Sequence, residues 1–96
     1  MIQQTITPIR QRLTDAGVSR LGVFGSVARG DAKQDSDVDV LVSFLPTART
    51  FDNFMAVSEA LESAFRRRVD LVTDDSLSPY LGPHILREVQ YVDLGH

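Results

Sequence analysis

The sequence has no cysteine, no tryptophan and only two histidines among its 96 residues. Without cysteine there is no disulfide, no thiolate metal site and no cysteine nucleophile, so any metal must be bound by oxygen or imidazole. Hard cations come first. His84 and His96 show no ligand spacing, which argues against a histidine site. No apolar run approaches the roughly 20 residues of a membrane span. The start, Met1-Ile2-Gln3-Gln4, lacks the basic region and apolar stretch of a signal peptide. A cytoplasmic location without a membrane partner is expected. Positive charge is also scarce: ten Lys and Arg face thirteen Asp and Glu, for a net charge of −3. This balance argues against a nucleic acid held by broad attraction to its backbone, although it leaves room for a local basic patch.

No linker, internal repeat or low-complexity tract divides the chain, and its length suits a single domain over residues 1–96 with one core. With 43% hydrophobic and 24% charged residues, the composition is that of a folded globular protein. Thr7-Pro8 reads as the start of a helix with apolar positions at Ile9, Leu13 and Ala16, stopped by Gly17. Arg20 to Phe24 reads as a buried strand broken at Gly25. Val27 to Arg29 can begin a short helix closed by Gly30, and Asp31 to Ser36 is a polar, exposed loop.

From Asp37 to Phe44 the period is two, with Val38, Val40 and Val42 on one face and Asp37, Asp39 and Leu41 on the other. Pro46 ends that strand. Thr50 or Asp52 can cap a helix in which Phe54, Val57, Leu61, Ala64 and Phe65 recur at helical spacing. Phe51, Phe54, Met55 and Phe65 are read as core rather than as a base-stacking surface. Val69 to Val72 makes a third strand, Pro83 to Glu88 a short helix, and Gln90 to Val92 an edge strand or coil. The order is α-β-α-β-α-β-α, an α+β sandwich in one layered domain.

Two carboxylates stand out. Asp37 and Asp39, two apart on a strand, project from one face about 6.5 to 7 Å apart at the backbone. At an effective dielectric of about 20 their repulsion reaches about 2 kcal/mol, and aspartate is a poor strand former. A divalent cation offsets this cost, since Mg²⁺ is usually bound by one or two carboxylates together with substrate phosphates. The plainer alternative is a solvated turn followed by an exposed strand residue. Gly25-Ser26, directly after an apolar strand and at the start of a short helix, is a place where backbone N–H groups and a hydroxyl can take a phosphate. Arg29, one helical turn on, can add charge to the same cradle. Each feature alone is common. Together they place a phosphate cradle and a metal site on neighbouring strand ends.

Gly25-Ser26-Val27-Ala28-Arg29-Gly30 followed by Ser36-Asp37-Val38-Asp39-Val40-Leu41-Val42 resembles the signature of the DNA-polymerase-β-type nucleotidyltransferases, and within them the minimal nucleotidyltransferase (MNT) branch. In that family a third carboxylate on a later strand completes the metal site, and Val69-Asp70-Leu71-Val72 matches that position. Read without the family, Asp70 could simply pair with one of Arg66, Arg67 and Arg68. That basic run itself is read as sitting at a helix C-terminus, where the dipole attracts cations.

The resemblance implies a small mixed sheet flanked by helices and a two-metal site. Asp37 and Asp39 would hold both ions, Mg²⁺ or else Mn²⁺. One ion, with Gly25 and Ser26, would grip the triphosphate of ATP. The other, bound also by Asp70, would activate an acceptor hydroxyl, with Asp70 a candidate base. MNT proteins are typically paired with a small helical HEPN protein, so the implied activity is transfer of AMP from ATP to a tyrosine of a HEPN-type toxin. Two other possibilities stay open: an antitoxin that acts only by occlusion, and a small-molecule nucleotidyltransferase of the aminoglycoside type. In the latter a homodimer could supply the acceptor site.

Overall fold

The structure, a computed structural model, describes residues 2–95. Its centre is a four-stranded mixed sheet of order β3-β2-β1-β4, built from β1 (Val18–Phe24), β2 (Val38–Phe44), β3 (Val69–Thr73) and β4 (Gln90–Tyr91). β1 runs antiparallel to β2 and to β4, and β2 runs parallel to β3. The parallel pair needs a crossover, and helix α4 (Phe51–Phe65) supplies it.

The alternation read in β2 is seen in its burial. Val38, Val40 and Val42 join Leu21 and Val23 of β1 in the main core, whereas Asp39 and Ser43 on the opposite face are only partly covered. Ile6, Leu13, Val57 and Leu61, from helices packed on the valine face, are fully or almost fully buried against these strands. Truncation of such a residue, Leu61→Ala for example, would cost about 2–5 kcal/mol.

Several boundaries differ from the sequence reading. The first helical segment begins at Ile2 rather than at Thr7-Pro8: α1 (Ile2–Ile6) passes through a 3₁₀ turn, Thr7–Ile9, into α2 (Arg10–Asp15). The Thr7 hydroxyl donates to the Gln3 carbonyl at 2.8 Å, as a mid-helix threonine does, instead of capping a new helix. Pro8 tightens the turn because it has no N–H to offer the preceding helix. β2 starts at Val38, not Asp37, because the Val38 N–H is the first to reach across, donating to the Arg68 carbonyl at 3.0 Å. Thr50, rather than Asp52, caps α4: its Oγ1 accepts from the Asn53 N–H at 3.1 Å. α4 ends in a left-handed Arg66, φ 55°.

Phe54 and Phe65 pack against the core, but Phe51 is 76% exposed and Met55 is also exposed. Those two aromatic and thioether side chains therefore leave the core assigned to them. Phe51 is the first residue of α4, one turn before the buried stripe begins.

Candidate active site

Strand register decides where Asp39 sits. On β2 it lies opposite Phe24, the last residue of antiparallel β1, and opposite Asp70 of parallel β3. The same level of the sheet thus holds Asp39, Asp70 and the point where β1 turns at Gly25. Asp37 directly precedes β2. Asp39 is partly buried, and Asp37 and Asp70 are exposed. The Asp39 carboxyl is pushed above the usual aspartate range, first by burial, then by the negative charges of Asp70 and Asp37. Glu88 adds to this, and Arg29 opposes it. A site that penalises its own negative charge is one a cation would relieve.

Asp70 pairs with none of Arg66, Arg67 or Arg68 among the described residues, so its structural reading loses its partner. The arginine run instead supports the loop before Asp37. Arg67 Nη1 donates to the Lys33 carbonyl at 3.0 Å, and the Ser36 Oγ accepts from the Lys33 N–H at 2.9 Å.

The three carboxylates form an electrostatic cluster rather than a preformed cage. Among the described residues no three His, Asp or Glu side chains converge as ligands of one ion. The fit to a metal is one of chemistry and placement: oxygen donors suited to Mg²⁺, with Asp39 and Asp70 set opposite each other by strand register and Asp37 directly before β2.

The turn after β1 is shaped by Gly25, whose φ of +74° favours glycine. Its missing side chain matters as much: a Cβ there would collide with Oδ2 of Asp39 and lie 3.1 Å from its Cγ. The chain then enters α3 (Gly25–Arg29), closed by a left-handed Gly30. Helix α3 therefore begins two residues earlier than the spacing suggested, at the glycine itself. Ser26 is half-buried, and its hydroxyl has no partner among the described residues.

Helix α5 (Gly82–Glu88) supplies a residue that the sequence did not single out. Glu88 Oε1 accepts from the Gly25 N–H at 3.0 Å, and Oε2 lies 3.2 Å from Arg29 Nη1. Arg29 also faces Asp31 Oδ2 through Nε at 3.4 Å, and these carboxylates, Asp31 foremost, raise its pKa. No local signal marks Glu88, which is 63 residues from Gly25 in sequence.

Between these elements lies a cleft of about 440 Å³. Phe24, Gly25, Ser26, Arg29 and Asp39 line one side, and Leu81, His84, Ile85 and Glu88 of the α5 segment line the other. The predicted phosphate-turn residues and one of the predicted carboxylates thus share one cavity with an apolar wall. Asp37 and Asp70, the other two predicted carboxylates, do not line it.

The nucleotidyltransferase domain family matches residues 4–92. The chain belongs to this family. Nucleotidyl transfer is accordingly its reaction class. Protein adenylyltransferase MntA of Thermococcus cleftensis is 42% identical over 92 residues, 95% of this chain and 92% of that protein. The fold is similar to that of a proposed minimal nucleotidyltransferase of known structure, with a TM-score of 0.75, 38% identity and coverage of 94% and 95% of the two chains. A chain of a toxin–antitoxin structure with AMP-PNP aligns with a TM-score of 0.69 and 26% identity, over 95% of this chain and 72% of that one. A complex of tri-AMPylated Shewanella oneidensis HEPN toxin with MNT antitoxin has a chain of the same fold, with a TM-score of 0.66 at 24% identity over 95% and 71% of the chains.

Neither tyrosine of the chain lines this cleft. Tyr80 is 84% exposed, and Tyr91 stacks under the Arg20 guanidinium at 4.4 Å from its ring centroid. His84 lines the cleft and contacts Arg87 at 3.2 Å; His96 lies outside the described residues. No helix among the described residues is long and apolar enough to cross a membrane.

Proposed function

We infer that this protein is a metal-dependent protein adenylyltransferase that transfers AMP from ATP to a tyrosine hydroxyl of a HEPN-type toxin and thereby acts as its antitoxin, in the cytoplasm. The observation that carries this reading is the register that sets Asp39 beside both Asp70 and the Gly25-Ser26 turn, in a family whose reaction is nucleotidyl transfer. The likeness to an MntA adenylyltransferase supports a protein acceptor.

Ser26 donates its hydroxyl to a phosphate oxygen of ATP, and the Arg29 guanidinium adds positive charge to the same group. Gly25 allows the turn to lie against Asp39. Asp37, Asp39 and Asp70 would hold two Mg²⁺ ions, with Mn²⁺ an alternative. Such ions neutralise phosphate charge and lower the pKa of an acceptor hydroxyl when bound. Asp70 accepts the proton of that hydroxyl as its oxygen bonds to the α-phosphorus; the bond from phosphorus to the bridging oxygen breaks, and pyrophosphate leaves.

The test is transfer of label from α-labelled ATP to a co-expressed HEPN-type toxin. The wild type should label it, and the Asp37→Ala, Asp39→Ala double variant should not, while keeping its circular dichroism spectrum. Full labelling by the double variant would sink the reading. Protection of cells by a variant that transfers no label would instead favour neutralisation by occlusion.

A further inference from the structure

We propose that Glu88 is a positioning residue for nucleotide binding: from the end of α5 it fixes the Gly25 turn and the Arg29 guanidinium, so that Ser26 Oγ and Arg29 Nη2 are left for phosphate oxygens. This rests on reading the cleft as a nucleoside triphosphate site.

Three contacts define the arrangement. Glu88 Oε1 accepts from the Gly25 N–H at 3.0 Å and lies 3.4 Å from Arg29 Nη1, while Oε2 lies 3.2 Å from the same nitrogen. Asp31 Oδ2 takes the Nε edge at 3.4 Å. The guanidinium is thus held on two sides by carboxylates, and Nη2 has no partner among the described residues. A long, exposed arginine would otherwise spread over many rotamers, and ordering it in advance lowers the entropy cost of gripping a phosphate.

A carboxylate close to a phosphate cradle could equally compete with the ligand. The pattern of contacts argues for support instead. Glu88 occupies one backbone donor and one guanidinium nitrogen, and leaves the serine hydroxyl and Nη2 open. The ion pair to Arg29 is partly exposed and adds little to overall stability, whereas the buried Gly25 N–H loses its acceptor in E88A, so a modestly lower melting temperature is expected there. Gln90, which also ties the C-terminal segment to α3 by donating Nε2 to the Ala28 carbonyl at 2.8 Å, does not touch Arg29 and serves as a comparator.

The experiment is calorimetric titration of the full chain with ATP and Mg²⁺, for the wild type and for E88A, E88Q, Q90A, R29A and the R29A/E88A pair, with a thermal melt of each. E88A should raise Kd about tenfold, the size expected for a charge-assisted hydrogen bond. E88Q, which keeps an acceptor for the Gly25 N–H, should fall between E88A and the wild type, and Q90A should bind as the wild type does. In the R29A background E88A should raise Kd by clearly less than in the wild type, because only the contact to the Gly25 N–H is then left to lose. An unchanged or lowered Kd in folded E88A overturns the proposal, and a lowered one makes Glu88 a competitor for phosphate. An equal loss in Q90A also overturns it, since any tether would then do. If E88A does not fold, E88Q decides between the same outcomes. A wild type that binds no ATP defeats the nucleotide-site reading and this proposal with it, whereas tight binding by both wild type and E88A defeats only the latter.

Discussion

Gly25 and Asp39 are packed so closely that the glycine cannot carry a side chain: a Cβ on Gly25 would occupy the space of Asp39 Oδ2. The phosphate turn and the carboxylate are therefore one unit. A change in either must move the other.

Gly25→Ala tests this directly. The positive φ alone should cost about 1–2 kcal/mol for an L side chain. The collision with Asp39 adds to that. A lower urea midpoint together with loss of ATP binding in calorimetry is expected. An alanine variant that bound ATP like the wild type would show that the turn is not part of the nucleotide site.

Asp39 should make the metal-free protein sensitive to pH. Burial and the charges of Asp70 and Asp37 raise its pKa, so the folded protein holds that proton more tightly than the unfolded chain. The resulting stability is fully present below the unfolded carboxyl value of about 3.9, and is lost as pH rises through the raised folded value. At neutral pH the ionised carboxylate is thus a burden on the fold. Asp39→Asn in EDTA should melt at a higher temperature than the wild type at pH 7, and the gap should close as pH falls towards about 4. Melts across that range decide it. A gap independent of pH would point to packing instead of charge.

Divalent cations should relieve the same repulsion. Adding Mg²⁺ after EDTA treatment should raise the wild-type melting temperature through binding to the folded state alone. The Asp37→Asn, Asp39→Asn variant should respond weakly or not at all. An equal response in both would place the ion elsewhere.

Asp70→Asn separates binding from chemistry. Asp70 is exposed on β3 and has no ion-pair partner among the described residues, so its replacement should leave the fold and ATP binding intact. Label transfer should fall by at least about a hundredfold, as expected on removing a general base. Retention of transfer would remove Asp70 from the reaction.

Thr50→Ala is the control for stability without chemistry. Loss of the cap on α4 should cost about 1 kcal/mol. Denaturant melts should show that loss, and ATP affinity should stay unchanged.

Local patterns in the sequence were enough for much of the fold. The two-residue period of Val38, Val40 and Val42, the helical spacing of Val57 and Leu61, and a cap at Thr50 or Asp52, of which the structure uses Thr50, each depend on neighbours a few residues away. Such signals survive because side-chain direction repeats with the backbone. The reading failed where distant packing overrides local preference. Thr7-Pro8 resembles a helix start, yet Ile6 is fully buried against the core and draws the preceding turn into helical form. Phe51 is apolar, yet its place on the first turn of α4 leaves it in solvent.

The candidate site divides in the same way. The Val38-Asp39-Val40 alternation and the Gly25-Ser26 turn were determined by the sequence alone, since alternation on a strand and a glycine at a strand end are local properties, whereas Asp37, read as part of that strand, directly precedes it. Only the tertiary structure decided that Asp70 stands opposite Asp39, that β2 pairs in parallel with β3, and that Glu88 reaches back to Gly25 and Arg29. Strand register and the docking of α5 are set by how whole faces pack against one another. No local run of residues carries that information.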